Sequence, residues 1–252
     1  MSGNCYDQRL NPPSGVASQK YPMAKAASAD LLVQIAQAFQ RPPSLARILH
    51  GDRKIRQGSR GRRTALFPST KSGGSIPLES RLELAYAVVL ERSPSVQEYR
   101  TQAIRICLPN GGFAHPDFLI RTTCGQIEVH EVKPSIEHLP KADVERFTFM
   151  RNVLGQAGVG FRLIDIHSLP SPPVLEELLQ RYARGHLQAF SQAQTDIARS
   201  LLAHDANCTF EAAYQLMALH GLPAQIIDFL SFHQLWSFIQ PTANTFKSRG
   251  VR

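Results

Sequence analysis

Between residues 96 and 133, apolar and polar positions alternate with the two-residue period of β-strands, and glycine- or proline-bearing breaks cut the run into three segments, 96–108, 113–122 and 126–133. Pro109-Asn110-Gly111-Gly112 predicts a hairpin turn between the first two, and Thr123-Cys124-Gly125 a turn between the last two. On the amino-terminal side the period lengthens to that of a helix over 77–92, where Leu78, Leu82, Ala85 and Val89 form an apolar stripe that stops before Ser93-Pro94-Ser95. On the other side a helix is predicted over 141–156, with Val144, Phe147, Arg151 and Leu154 on related faces, followed by a short alternating strand over 161–167. The predicted order is helix, three antiparallel strands, helix, strand. That is an α/β core.

Two further regions flank this core. Residues 28–40 carry Leu31, Leu32, Ile35 and Phe39 near helical spacing, with Ser28 or Asp30 available as the cap. Beyond Pro170-Ser171-Pro172-Pro173, a candidate hinge, the pattern is helical over 174–203, 209–219 and 223–232, with 236–239 and 245–247 reading as short wing strands. This order suits a winged-helix unit, and it equally suits a plain helical bundle with Met217, Phe229 and Trp236 in its core. The chain thus divides into an arm with a short helix over 1–64, an α/β domain over 65–170 and a helical domain over 171–252.

Composition narrows the setting. An apolar content of 43% and a charged content of 19% over 252 residues are values of a globular chain with a real core. No run of 18 apolar residues is present, and residues 1–27 lack the apolar segment of a secretory leader, so the expected location is the cytoplasm, with no membrane partner. The four cysteines, Cys5, Cys107, Cys124 and Cys208, are scattered without a paired motif, which argues for reduced thiols and against structural zinc. The net charge of +8 comes from 21 Arg and only 7 Lys, and the planar guanidinium suits two-pronged phosphate contact. Arg53, Lys54, Arg56, Arg60, Arg62 and Arg63 crowd one Gly- and Ser-punctuated stretch, a candidate DNA-backbone-tracking arm, although a solvated linker has the same look.

The candidate chemistry lies in the strands. In a strand over 126–133, Ile127, Val129, Glu131 and Lys133 share one face while Glu128, His130 and Val132 take the other, so two charges continue an apolar row. Burying them is costly unless they pair, bind a metal or do chemistry. Asp117, after Pro116 on the neighbouring strand, brings a second carboxylate to the same sheet edge. Two acids and a lysine so placed suit metal-dependent phosphodiester hydrolysis, the acids holding a hard cation and the lysine facing the phosphate. The plain alternative is a surface ion pair between Glu131 and Lys133, which contributes little. On the first helix Glu79 and Glu83 lie one turn apart, and either could extend the acidic set. His115, His130 and His167 also lie near by sequence, but nothing supplies the base-and-orienter geometry catalysis needs, so a structural role fits them better.

Pro116-Asp117 followed by Glu131-Val132-Lys133 resembles the PD-D/ExK nuclease superfamily, whose restriction-endonuclease-like core has the element order read above. A closer resemblance is carried by Leu78-Glu79-Ser80-Arg81-Leu82-Glu83-Leu84-Ala85, Tyr99-Arg100-Thr101-Gln102, Pro116-Asp117-Phe118-Leu119 and Glu131-Val132-Lys133-Pro134. Together these look like the TnsA family, the endonuclease subunits of heteromeric Tn-seven-type transposases, over about residues 60–169. The resemblance implies catalytic roles for Glu83, Asp117, Glu131 and Lys133, with Gln102 supporting. Some family members carry Gln where this chain has Glu131. It further implies one or two Mg²⁺ ions, with Mn²⁺ able to substitute, held by Asp117, Glu131, the backbone carbonyl of Val132, and Glu83.

The activity so implied is cleavage of double-stranded DNA at the 5′ ends of a transposable element, with a DDE-type transposase subunit and an AAA+ ATPase regulator as partners. The predicted helix over 223–232 carries no Arg or Lys, so it suits docking to a protein such as the regulator better than reading DNA. Two other readings stay open: a free-standing restriction or repair nuclease of the same superfamily, and a non-enzymatic DNA-binding adaptor.

Overall fold

A computed structural model describes residues 22–40, with backbone alone over 22–28, together with 65–203 and 208–236. The elements in chain order are α1 (Pro22–Gln40), β1 (Ala65–Ser69), β2 (Gly74–Leu78), α2 (Arg81–Arg92), β3 (Val96–Thr101), β4 (Ile106–Cys107), β5 (Phe113–Ala114), β6 (Phe118–Thr122), β7 (Ile127–Val132), α3 (Lys141–Gln156), β8 (Gly160–Ile164), α4 (Pro172–Gly185), α5 (Gln192–Ala203), α6 (Phe210–Leu219) and α7 (Ile226–Phe232). The chain is a mixed α/β fold with a helical carboxy-terminal part. Among the described residues, no helix is long and apolar enough to cross a membrane.

The central sheet has the order β3-β6-β7-β8. β3 and β6 pair antiparallel, as do β6 and β7, whereas β8 returns through α3 to lie parallel to β7 with Glu131 opposite Leu163 and Val132 opposite Ile164. Alternation divides the side chains between two cores. Phe118, Ile120, Val132 and Tyr99 pack with α2, the β1-β2 hairpin and α4. Leu119 and Val129 pack on the other side with Leu31, Ile35 and Phe39 of α1 and Phe147, Met150, Val153 and Leu154 of α3. A third core, from Ala198 and Leu202 to Ile227 and Leu230, joins α5, α6 and α7.

Several boundaries differ from those the pattern predicts. Pro77 and Leu78 do not open a helix; they close β2, pairing with Leu66 and Ala65, and Leu78 is fully buried. The helix begins only after Ser80, which has extended backbone and a hydroxyl that accepts from the Glu83 N–H, a stronger start signal than the apolar stripe. The strand expected over 96–108 breaks after Thr101, and the one over 113–122 breaks around residues 115–117, so a small β4-β5 ribbon peels away from the main sheet. The first break sits at Gln102, whose φ of 46° cannot continue a strand. The strand over 161–167 stops at Ile164, and Ile166–Ser168 form one 3₁₀ turn under the Asp165 cap. The helical stretch over 174–203 is two helices, α4 and α5, and the amino-terminal helix starts earlier than 28. The expected wing strands lie outside the described residues, except Trp236, whose ring packs 5.4 Å from that of Phe210.

Two anchors hold α2 at opposite ends. At its start Glu83 and Ser80 cap each other. Near its finish Glu91, fully buried, accepts hydrogen bonds from Ser69 Oγ at 2.6 Å, the Thr70 N–H at 2.9 Å and Tyr99 Oη at 3.0 Å. That carboxylate therefore ties the β1-β2 turn to the helix and the sheet.

Candidate active site

Where the β4-β5 ribbon parts from the main sheet it leaves a cleft of about 1070 Å³. Its walls include Glu79, Arg81, Glu83, Gln102, Phe113, His115, Asp117, Glu131, Val132, Lys133 and Arg146. Glu83, Asp117, Glu131 and Lys133, drawn from α2, the entry to β6 and the end of β7, thus meet in one place.

Asp117 is the most constrained of them. Its Oδ2 accepts the Val132 N–H at 2.8 Å, its own N–H donates to Glu131 Oε2 at 3.3 Å, and its carbonyl accepts the Gln102 N–H at 3.0 Å. Burial, followed by the negative charges of Glu131 and Glu83, pushes its carboxyl up to about 8, against the opposing pull of the Val132 N–H and of Lys133. Glu131 is buried, and its Oε1 lies 2.8 Å from Lys133 Nζ. The lysine is fixed at both ends: its N–H donates to the Ile164 carbonyl at 2.8 Å, and Nζ lies 5.6 Å from the Phe147 ring centre.

Glu83 has a second occupation. Its carboxylate accepts the Glu79 N–H and the Ser80 hydroxyl, each at 2.9 Å, while its N–H donates to Ser80 Oγ, so residue and cap hold each other at the helix start. Burial raises its carboxyl above the ordinary range, and those hydrogen bonds work the other way. Glu79 also lines the cleft, ahead of the helix rather than one turn inside it.

The three histidines separate. His115 lines the cleft. His130 lies on the opposite face of β7, bonded to Tyr86 Oη and, at 2.8 Å, to Glu128, which in turn pairs with Arg162 at 2.9 Å. His167 is exposed in the 3₁₀ turn. Gln102 joins the site. The basic run from Arg53 to Arg63 lies outside the described residues.

Arg81 and Arg146 line the cleft although nothing in the strand pattern points to them. Arg146 pairs with Asp143 at 3.2 Å and lies 4.7 Å from the Phe147 ring centre, both on α3. A signal existed for Arg81, which stands between two acids in the motif that begins α2. For Arg146 the sequence offers only a basic residue in the first turns of a helix.

Among the described residues, no group of three or more His, Cys, Asp or Glu side chains is arranged to hold a metal ion. What the cleft does present is two adjacent carboxylates, Asp117 and Glu131, beside Val132, where burial first and the charge of Glu131 second raise the Asp117 carboxyl. Hard oxygen donors few in number match the preference of Mg²⁺, which keeps several waters and takes only one or two protein carboxylates. The donor chemistry fits the ion.

No protein-family model matches the chain, and a comparison with curated proteins finds no similar sequence.

Proposed function

We propose that this protein is a Mg²⁺-dependent DNA endonuclease of restriction-endonuclease-like fold, a TnsA-like subunit that cuts the 5′ ends of a transposable element beside a DDE-type transposase and an AAA+ regulator. The reading rests on the convergence of Asp117, Glu131, Lys133 and Glu83 from three separate elements into one cleft. The sequence resemblance supplies the rest.

Asp117 and Glu131, with the carbonyl of Val132, would hold the cation, and Glu83 would bind a second ion or an ordered water. When bound, Mg²⁺ or Mn²⁺ supplies positive charge to the phosphoryl oxygens and lowers the pKa of a water. The protein's own part is placement. Asp117 is locked by the Val132 N–H, so its free oxygen has a fixed direction. Lys133, pinned by Ile164 and Glu131, would orient the attacking water and stabilise charge building on the phosphate. Arg81 and Arg146 at the rim suit the flanking phosphates. The resemblance implies a 5′-phosphate and a 3′-hydroxyl as products.

The test is cleavage of duplex DNA bearing the element's end, with Mg²⁺ and the full partner set. Asp117→Ala and Lys133→Ala are expected to abolish cutting while folding and DNA binding persist. Nicking at the wild-type rate by either variant overturns the assignment. A site complete within one chain is also what a free-standing nuclease needs, so the protein is assayed alone as well. Near-silence alone, with defined cutting on adding the transposase and regulator, is the expected result. Efficient site-specific double-strand cleavage by the isolated protein favours the restriction-type reading instead.

A further inference from the structure

Gln102 combines two unfavourable features. Its φ of 46° places a non-glycine residue in the left-handed region, where a Cβ crowds the backbone. Its side chain is only 3% exposed, and the carboxamide oxygen Oε1 is buried with no hydrogen-bond partner, so its desolvation goes uncompensated. Among the described residues the only other buried side-chain oxygen or nitrogen so stranded is Oγ1 of the adjoining Thr101. Such residues persist where the surrounding structure forces them and a ligand gives the return.

Here the force is visible: the Gln102 N–H donates to the Asp117 carbonyl at 3.0 Å, which holds the residue against the strand that carries the central carboxylate. The ligand can be read from the neighbours. Gln102 lines the cleft with Val132 and with Asp117 and Glu131, whose carboxylates supply oxygen acceptors. Lys133 is already engaged by Glu131 at 2.8 Å. A stranded acceptor set among acceptors is satisfied by a small cation, and among the described residues no third acidic or imidazole side chain completes a metal cluster here.

We infer that Gln102 Oε1 is a direct ligand of the divalent cation in this cleft, the third protein side-chain oxygen beside Asp117 and Glu131. The inference rests on the metal-dependent reading above, and the two are separable by experiment. An amide oxygen is a hard, neutral donor. It adds coordination without adding a third negative charge to a site already crowded with anions.

The test is Mn²⁺ binding to the full chain without DNA, followed by titration calorimetry. Gln102→Gly removes the carbonyl and also relieves the left-handed backbone, so it is expected to fold while binding Mn²⁺ about tenfold more weakly. Gln102→Glu keeps an oxygen at that reach and adds charge, and is expected to bind at least as tightly as wild type. Should Gln102→Gly fail to fold, Gln102→Glu decides: affinity lost by tenfold or more overturns the inference. Wild-type affinity in Gln102→Gly, with binding abolished in Asp117→Ala, overturns the role of Gln102 and leaves the nuclease reading standing. Equal Mn²⁺ binding by wild type, Gln102→Gly and Asp117→Ala overturns both.

Discussion

Glu83 serves the helix and the cleft with one carboxylate, and isosteric substitution separates the two. In Glu83→Gln the carboxamide oxygen can still accept from the Glu79 N–H while its NH2 donates to Ser80 Oγ with the hydroxyl turned round, so stability is expected to stay within about 0.5 kcal/mol of wild type while cleavage falls sharply. Glu83→Ala loses both, at about 1 kcal/mol of stability. Glu79→Ala is expected to leave cleavage nearly intact; a reversal of the two would put the acidic ligand before the helix. Denaturant unfolding and cleavage rates, measured on the same preparations, decide. Asp117 offers a pH test of the metal-free protein. Its carboxyl stands at about 8 in the folded chain against an ordinary 3.8, so across that window the native state binds the proton more than the unfolded chain does. That contribution to stability is complete below the lower value and is lost as pH rises through the upper one. Asp117→Asn, permanently neutral, should therefore gain melting temperature relative to wild type at pH 8 and little at pH 4. Asp117, Glu131 and Lys133 were legible because a charge in an apolar alternating row is conspicuous. Arg81 left only one signal, its place between two acids in the motif that begins α2, and Arg146 left none, because a rim arginine on a helix looks like any solvated one.

At the scale of elements, legibility followed whether local pattern and tertiary packing agreed. The helix predicted over 141–156 is α3 to the residue; Phe147 and Leu154 of its predicted stripe pack on the sheet, joined by Met150 and Val153, while Val144 stays exposed. Residues 77 and 78 continue the helical stripe of 82–89 by accident of spacing, and only the Ser80 cap marks where the strand ends. The break at Gln102 carries neither Gly nor Pro, and so no signal of the usual kind, whereas the one around 115–117 is marked by Pro116. The division between α4 and α5 also left a signal, Gly185, whose reason is contact rather than backbone angle. A methyl group there would lie 2.6 Å from the Phe229 nitrogen and 2.8 Å from its Cα, both backbone atoms of α7. Gly185→Ala should accordingly force α4 and α7 apart and cost about 1–3 kcal/mol, read by chemical denaturation. Wild-type stability would mean that the two helices can slide without loss.

Over the whole molecule, the Pro-rich stretch at 170–173 suggests a seam, yet the packing runs across it. Leu175, Leu178 and Tyr182 of α4 and Phe232 of α7 are buried in the same core as α2, β1 and β3. Tyr182 Oη donates to the Pro68 carbonyl at 2.6 Å, and Arg92 Nε to the Phe232 carbonyl at 2.8 Å. Ending the chain after Pro170 should thus uncover the apolar side of α2 and give an aggregating or unfolded product, whereas ending it after the described helices, at 236, should preserve the core. Circular dichroism and gel filtration of both truncations check this; a monomeric, cooperatively folding 1–170 product would show that α4 is dispensable.

The pairing that pins Lys133 also has a consequence in time. Chains emerge from the ribosome amino terminus first, at about 5–20 residues per second. Glu83, Gln102, Asp117, Glu131 and Lys133 have all been synthesised by residue 133, but the lysine's N–H finds its acceptor on Ile164, about thirty residues later, and the face behind α2 is closed later still by Tyr182. On the order of seconds therefore separates the appearance of these five side chains from the strand that sets them in register. A nascent chain holds all five before it holds the cleft they line.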